Sequence, residues 1–309
     1  KIGIIGGGLT GCIASIYLKN LDYDVTIFER RPNLGGVISD IASKNNIFFN
    51  GPQYFDPNNW WFKQLFSKKE EVNYFDKFNL SYGSYNDLFG KIEISRNYAQ
   101  IKTSCKFKGL NLKKINNLED HLKSFQKNVS NPLIKWSLKF GTDLKKLHSD
   151  CKLFFNIGRV YFSKDQAKLL KEKNKSLLVS NLLGLPNKKY KKEIVCYPKK
   201  GYDFIFKIIK KKLIKRGINL NLNTSISIKK LNGKNDLFNL AKKLNFDFYL
   251  WCANPVPLLR NFNFGKIENP LIKIIVVSFD INDQNLKNIN SYFQIFSKQS
   301  NLFRIYIYK

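Results

Sequence analysis

The chain has 309 residues and a formal net charge of +30, with 43% hydrophobic and 15% aromatic residues. This length and apolar content predict a globular protein of about two structural units and exclude a disordered chain. The apolar runs all fall short of the roughly 18 residues that a membrane-spanning helix needs, so we expect no membrane span and a cytoplasmic location.

The positive charge comes mainly from lysine, because only seven of the 53 basic residues are Arg. Nucleic-acid sites favour Arg for bidentate contacts to phosphates and bases, so we expect no nucleic-acid partner. The densest basic run, from Lys207 to Arg216, alternates with apolar residues at helical spacing. This pattern predicts the solvated face of a helix, which we expect to end at Gly217, while the overall charge suits an anionic small-molecule substrate.

The main motif lies in the first 36 residues. Ile2-Gly3-Ile4-Ile5 predicts a buried strand, a glycine turn and a helix follow, and a second strand over Asp24–Phe28 ends at Glu29. This order is typical of a dinucleotide-binding fold, although a glycine turn in an ordinary α/β protein is the alternative. We expect Glu29 to bind ribose hydroxyls and the turn to bind a pyrophosphate. The predicted binding residues of the turn are Gly6, Gly8, Leu9, Thr10 and Gly11.

A second glycine pair, Gly35-Gly36, follows Glu29 and Arg30. The run from Glu29 to Gly36 resembles the signature of FAD-dependent enzymes of the flavin amine oxidase superfamily, which includes protoporphyrinogen oxidases and UDP-galactopyranose mutases. The resemblance implies that Arg30, Gly35 and Gly36 add contacts to FAD. A simple loop with two glycines is the alternative.

Three later segments extend the resemblance. Gly51-Pro52-Gln53 is similar to a turn that the superfamily places beside the flavin ring, although the His of the mutase pattern is missing. The stretch from Tyr197 to Thr224 resembles the return of the chain to the nucleotide domain, which implies that the adenine lies near Ile226. Asp247–Pro255 is similar to a strand at the floor of that domain. A later Gly-Asp segment of the superfamily is not found in the 309 residues, so we expect a truncated or divergent chain.

The middle of the chain, from about residue 73 to 192, lacks β-α alternation. We predict an α/β fold: a Rossmann-type FAD-binding domain (1–72 and 193–262) with an inserted α+β substrate domain (73–192 and 263–309). Candidate helices of the insertion are Leu118–Asn128, Pro132–Phe140, Asp143–Phe155 and Lys164–Lys175. In the first domain, Asn59 is placed to cap a helix that begins at Trp60, and Trp60 and Trp61 are expected in the core.

Two arginines are candidate ligands for an anionic substrate. Arg304 lies in a Phe-Arg-Ile segment that resembles the phosphate-facing segment of galactopyranose mutases, and Arg159 is a rare Arg among lysines. A sheet edge and a surface position are their respective alternatives. His121 and His148 lie in Lys-rich helical stretches, so we expect surface positions, and they lack partners at metal-ligand spacing, so we expect no metal. The five scattered cysteines indicate a reducing compartment, and Cys12, in the predicted first helix, is expected to be a small core residue.

The resemblance makes the leading hypothesis an FAD-dependent oxidoreductase of the amine oxidase superfamily, in which a small substrate gives a hydride to flavin N5. Because no catalytic triad, metal cluster or carboxylate pair is evident, we expect the cofactor to carry the chemistry. No catalytic residue can be named. The alternative is a flavoenzyme resembling UDP-galactopyranose mutase, acting on a nucleotide sugar without net oxidation. A third possibility is a non-catalytic nucleotide-binding or basic nucleic-acid-associated protein, which would leave the second glycine pair without a use.

Overall fold

The computed structural model describes residues 1–42, 47–49, 54–90, 92–95, 99–101, 115–141, 143–149, 160–162, 165, 193–226, 245–261, 277 and 291–306. Its strands are β1 (Ile2–Ile5), β2 (Val25–Phe28), β3 (Asp40–Ala42), β4 (Ile47–Phe49), β5 (Phe75–Leu80), β6 (Tyr82–Asn86), β7 (Glu93–Ser95), β8 (Ala99–Ile101), β9 (Val160–Phe162), β10 (Glu193–Pro198), β11 (Asn219–Asn221), β12 (Phe248–Trp251), β13 (Tyr292–Phe296) and β14 (Arg304–Tyr306). Its helices are α1 (Leu9–Lys19), α2 (Trp60–Leu65), α3 (Lys68–Tyr74), α4 (Leu118–Lys123), α5 (Lys127–Leu138), α6 (Tyr202–Lys215) and α7 (Pro255–Asn261), with a 3₁₀ turn at Leu144–Lys146.

The chain divides into two compact units. The described part of the first lies within Lys1–Phe78, Ile194–Asn269 and Ile275–Asp280. The described part of the second lies mainly within Asn79–Glu193 and Ile281–Lys309.

The first unit is built on a parallel sheet with the strand order β11-β2-β1-β12. Ile4 of β1 pairs with Ile27 of β2 on one side and with Leu250 of β12 on the other. Helix α1 follows β1 directly and contacts β2, which gives the β-α-β order that the sequence predicts. A parallel sheet with crossover helices is the framework of a Rossmann-like domain.

Helix α6 packs beside α1 through one apolar stripe. Ile205, Ile209 and Leu213 recur every four residues and are fully buried, while the lysines between them point outward or are half-buried. The prediction that this basic run is a helix with one solvated face is therefore confirmed. The helix ends before Gly217, whose φ of +73° and N–H bond to the Ile214 carbonyl confirm the predicted helix stop.

An aromatic cluster fills the space beside α6. The Phe55 ring makes edge contacts with the rings of Trp61, Phe75 and Tyr202. Trp60, in contrast, is 49% exposed and touches Tyr17, so the expectation that it lies in the core is wrong. The reason is its place at the first position of α2, where the buried face is taken by Phe62 and Leu65.

Helix α2 begins after Asn59, as predicted, but the Asn59 side chain makes no capping hydrogen bond. The position of the helix start is therefore correct, whereas the capping interaction expected from an Asn is not formed.

The second unit contains a sheet with the order β14-β13-β6-β7, in which β13 runs parallel to β6 and antiparallel to β14. Gly83 of β6 allows the Phe293 ring of β13 to lie against the backbone, because an added Cβ would lie 2.3 Å from that ring.

Helices α4 and α5 form the main core of this unit. Leu122, Val129 and Leu133 are fully buried in it, and Trp136 packs on Phe296 with ring centroids 5.0 Å apart.

Four predictions for the second unit need correction. The helix expected over Leu118–Asn128 is two helices, and Pro132 lies inside α5 rather than at its start. The expected helix from Asp143 begins only as a 3₁₀ turn, and the next predicted helix falls mostly outside the described residues. His121 is 2% exposed, because it lies on α4 between the buried Leu118 and Leu122 rather than on the surface.

Candidate dinucleotide site

The site begins with the turn that follows β1. Gly6 has φ +111°, a conformation that favours glycine, and its N–H donates to the Phe28 carbonyl at 2.9 Å. A Cβ on Gly6 would lie 2.8 Å from the backbone nitrogen of Ala253, just past β12. The fold itself therefore requires glycine at this position.

Gly11 has a different role, within α1. An added Cβ would lie 1.9 Å from the carbonyl oxygen of Gly6. Helix α1 thus packs directly on the turn, and no side chain fits between them. This arrangement brings the start of the helix close to the end of β1.

Gly8 is the exception among these glycines. Its φ of −68° is open to any residue, and the nearest atom to an added Cβ is the Gly36 Cα at 3.9 Å. Nothing in the surrounding chain therefore demands glycine at position 8. Because the fold does not require glycine here, a bound ligand is a better reason for it: without a side chain, the backbone can approach a ligand closely.

The second glycine pair lies beside the first glycine segment. The Gly35 N–H donates to the Gly7 carbonyl at 2.9 Å, and an added Cβ on Gly36 would lie 3.1 Å from the Gly8 Cα. Gly35 and Gly36 both have positive φ, of 121° and 64°. The structure therefore joins two segments that are 27 residues apart into one small, side-chain-free surface.

The N-terminus of α1 opens next to this surface. The first turn of a helix has N–H groups with no partner inside the helix, and the helix dipole gives this end a partial positive charge. Gly8, at the N-cap, has no side chain to satisfy them, and the first turn contains no acidic residue. Leu9 is half-buried and Thr10 is exposed. Such a helix start can hold the phosphates of a dinucleotide.

The Glu29 carboxylate holds the glycine turn in place through hydrogen bonds. It is only 6% exposed, its Oε2 accepts the Gly7 N–H at 2.7 Å, and its Oε1 accepts the Arg31 N–H at 2.8 Å. Each carboxylate oxygen has further acceptor capacity, so the side chain is held in place and can still accept from a ribose hydroxyl. The neighbouring Arg30 is exposed.

Arg31 is a site residue that the sequence interpretation missed in favour of Arg30. Its Nη1 donates to the Gly36 carbonyl at 2.7 Å, while its backbone N–H donates to Glu29. Arg31 therefore links the acidic residue to the second glycine pair. The scarcity of Arg in this chain was the available signal, since a charge-assisted hydrogen bond to backbone favours Arg.

The Cys12 thiol lies under the glycine turn and is fully buried. Burial, together with the nearby charge of Glu29, raises the pKa of Cys12 to about 12. Its Sγ contacts the Gly7 carbonyl at 3.7 Å. Cys12 therefore stays protonated at neutral pH and serves as a small core residue, in agreement with the sequence interpretation.

The remaining predicted cofactor residues are less well placed. Ile226 is half-buried in an irregular segment, without the strand that the resemblance implies among the residues described there. The preceding Thr224 is tied to the site, because its N–H donates to the Glu29 carbonyl at 2.9 Å. Gly51, Pro52 and Gln53 lie outside the described residues, as does Arg159.

Arg304 belongs to the second unit, at the start of β14 opposite Gln294. Its guanidinium lies 4.5 Å from the centroid of the Phe303 ring, and Nη1 donates to the Tyr306 hydroxyl at 3.1 Å. Its buried Nε finds no hydrogen-bond partner among the described residues. Arg304 is therefore a part-buried cation with unused donor capacity, which suits an anionic ligand.

Residues 4–68 match the family described as NAD(P)-binding Rossmann-like domain. Among solved structures, reduced UDP-galactopyranose mutase is similar with 14% identity and a TM-score of 0.57, over 98% of this chain and 69% of the mutase. An oxidoreductase from Methanosarcina mazei aligns with 75% of this chain, with 16% identity and a TM-score of 0.31. A putrescine oxidase variant with redesigned cofactor binding aligns with 72%, with 11% identity and a TM-score of 0.39. The comparison with curated proteins gave no significant match.

These similarities concern the fold. The predicted α/β class with a Rossmann-like domain is confirmed by the family match and by the mutase structure. This chain spans 54% and 50% of the oxidoreductase and the putrescine oxidase variant, about half of each. Within the described residues, no helix is long and apolar enough to cross a bilayer, and no group of three or more His, Cys, Asp or Glu side chains could hold a metal.

Proposed function

We propose that this chain binds FAD across its two glycine segments and acts as an FAD-dependent oxidoreductase that resembles the amine oxidases. The observation that carries the proposal is Gly8, where the chain leaves out a side chain that its own packing would accept. The first turn of α1, Gly8 and Gly36 would hold the pyrophosphate, and Glu29 would hold the ribose. Gly51, Pro52 and Gln53 would line the flavin, as the resemblance implies.

The residues present fit such a group. The surface between Gly8 and Gly36 is free of side chains, the helix start favours negative charge, and Glu29 is held with acceptor capacity left. When bound, FAD would supply the redox chemistry for oxidation of the substrate. The chain would bind FAD and orient the substrate, and we propose that residues 73–192 and 263–309 hold a small, anionic substrate.

The test is the absorption spectrum of the purified protein, followed by titration of the apoprotein with FAD and, separately, with NAD⁺ and NADP⁺. We expect flavin bands after purification, or saturable FAD binding that neither nicotinamide nucleotide displaces. A colourless protein that binds NAD⁺ or NADP⁺ more tightly than FAD would overturn the proposal, since the Rossmann-like match alone admits either class.

A second candidate is a flavoenzyme that acts on a nucleotide sugar without net oxidation. Two observations favour it: the similarity to the mutase extends over 98% of this chain, and the buried Nε of Arg304 has no hydrogen-bond partner among the described residues. Under this candidate, Arg304 would bind a nucleotide phosphate through its guanidinium.

Binding of UDP or a UDP-sugar separates the two candidates. Under the second, Arg304→Lys should weaken UDP binding about tenfold, because Lys cannot replace a planar guanidinium. Arg216→Lys is the matched control, since Arg216 belongs to the first unit, where its guanidinium donates to the Gln64 carbonyl. A protein that oxidises amines and does not bind UDP would exclude this candidate.

A further inference from the structure

The N-terminus of α6 is capped by a residue from a distant part of the chain. The Asp40 carboxylate accepts the N–H groups of Tyr202 and Asp203, each at 2.9 Å. These are the first two residues of α6, and the N-cap residue itself, Gly201, has no side chain with which to cap them. A carboxylate at this position satisfies otherwise unpaired donors and interacts favourably with the helix dipole.

Gly201 makes room for this cap. An added Cβ would lie 2.2 Å from Asp40 Oδ2, and Gly201 has φ +81°, which also favours glycine. The helix start and the carboxylate therefore fit one another, across 162 positions of sequence.

The segment that carries Asp40 begins at the second glycine pair. Gly35 lies against the same helix, because an added Cβ would lie 3.0 Å from the Phe206 ring. The Gly35 N–H donates to Gly7, and its carbonyl accepts the Ile38 N–H at 3.1 Å. Residues 35–40 are thus attached to α6 at both ends and to the first glycine segment at Gly7.

We propose that Asp40 is a positioning residue of the dinucleotide site. By holding the start of α6, it fixes Gly35 and Gly36 against Gly7 and Gly8, so that the two glycine segments present one surface. Only the identity of the ligand rests on the proposed function. The attachment itself can be tested in the protein without any ligand.

The first experiment measures hydrogen exchange of the Gly35 and Ile38 amides in the full chain, without ligand. Asp40→Ala should speed their exchange by roughly tenfold, which corresponds to the free energy of a lost helix cap. Asp40→Asn should speed it less, because the amide oxygen of Asn still accepts one N–H. Ser67→Ala is the matched control. It removes a side-chain helix cap from α3, where the Ser67 hydroxyl accepts the Glu70 N–H, and it should leave both amides unchanged.

The second experiment measures FAD affinity of the same variants. We expect Asp40→Ala to weaken binding about tenfold, Asp40→Asn to recover most of it, and Ser67→Ala to bind like the parent protein. If Asp40→Ala does not fold, the Asp40→Asn variant carries both measurements.

The outcomes separate the two proposals. Unchanged exchange at Gly35 in the Asp40 variants would overturn the positioning role, whatever binds. An equal loss of FAD affinity in Ser67→Ala would also overturn it, because the effect would then be one of general stability. Faster exchange in a chain that binds no dinucleotide would support the attachment and refute the proposed function.

Discussion

Gly8→Ala and Gly11→Ala should separate the binding role of the first glycine motif from its structural role. At position 8 an added Cβ meets no atom closer than 3.9 Å, and φ is −68°. The substitution therefore costs little packing energy. Its expected cost is that of Ala at an N-cap, at most about 1 kcal/mol in the free energy of unfolding.

Gly11→Ala places its Cβ 1.9 Å from the Gly6 carbonyl oxygen, roughly 1.5 Å short of ordinary contact. A backbone oxygen cannot rotate away, so we expect the upper end of the roughly 1–3 kcal/mol that overpacking costs. The higher helix propensity of Ala offsets about 1 kcal/mol of this. The net loss of stability should be about 2 kcal/mol.

Denaturant unfolding and FAD titration of both variants test these expectations. Gly8→Ala should unfold nearly like the parent protein yet bind FAD at least about tenfold more weakly, because the added methyl group occupies the side-chain-free surface. Gly11→Ala should lose stability first. Parent-like FAD affinity in Gly8→Ala, or a larger loss of stability there than in Gly11→Ala, would refute the assignment of the glycine surface.

Two further predictions concern stability alone. The unfolded Cys12 thiol ionises from about pH 9.0, whereas the folded one stays protonated to about pH 12, so rising pH favours unfolding by about 1.4 kcal/mol per pH unit in this window. Alkylation of Cys12 by iodoacetamide, followed by mass spectrometry at pH 8, should accordingly require denaturant, and rapid labelling of the native protein would contradict its burial. In thermal melts, Gly217→Ala should lower the free energy of unfolding by about 1–2 kcal/mol, because φ at this position is +73°. Packing does not contribute to this loss, since the added methyl group would clash with no neighbour. Gly217→Asn should lose less stability, and equal losses in the two variants would argue against a backbone origin.

The sequence predicted the parts of the site that are local in the chain. The strand, glycine turn, helix and second strand follow one another within 29 residues, and each depends on neighbours that periodicity and glycine spacing reveal. The helix stop at Gly217 is of the same kind, because a single residue determines it.

The contacts that the sequence did not reveal join distant residues. Asp40 at the start of α6 and the pairing of Tyr82 with Tyr292 leave no periodic signal. His121 shows a second reason: charged neighbours on α4 suggested the surface, while the packing of Leu118 and Leu122 decides which face is buried. Arg31 was missed because its role depends on Gly36 reaching the glycine turn, which is a property of the fold.

The pairing of β1 with β12 has a consequence for how the protein is made. The partner of Ile2 is Phe248, 246 positions further along, and Gly6 packs on the backbone of Cys252 and Ala253. At about 5–20 residues per second, a ribosome needs roughly 10–50 s to reach that strand after β1 emerges. During this time one edge of β1 has no partner, and the turn at Gly6 lacks the backbone against which it rests. The glycine surface is therefore completed only after β12 and the following residues have been made, and its ligand can be captured only from that point on.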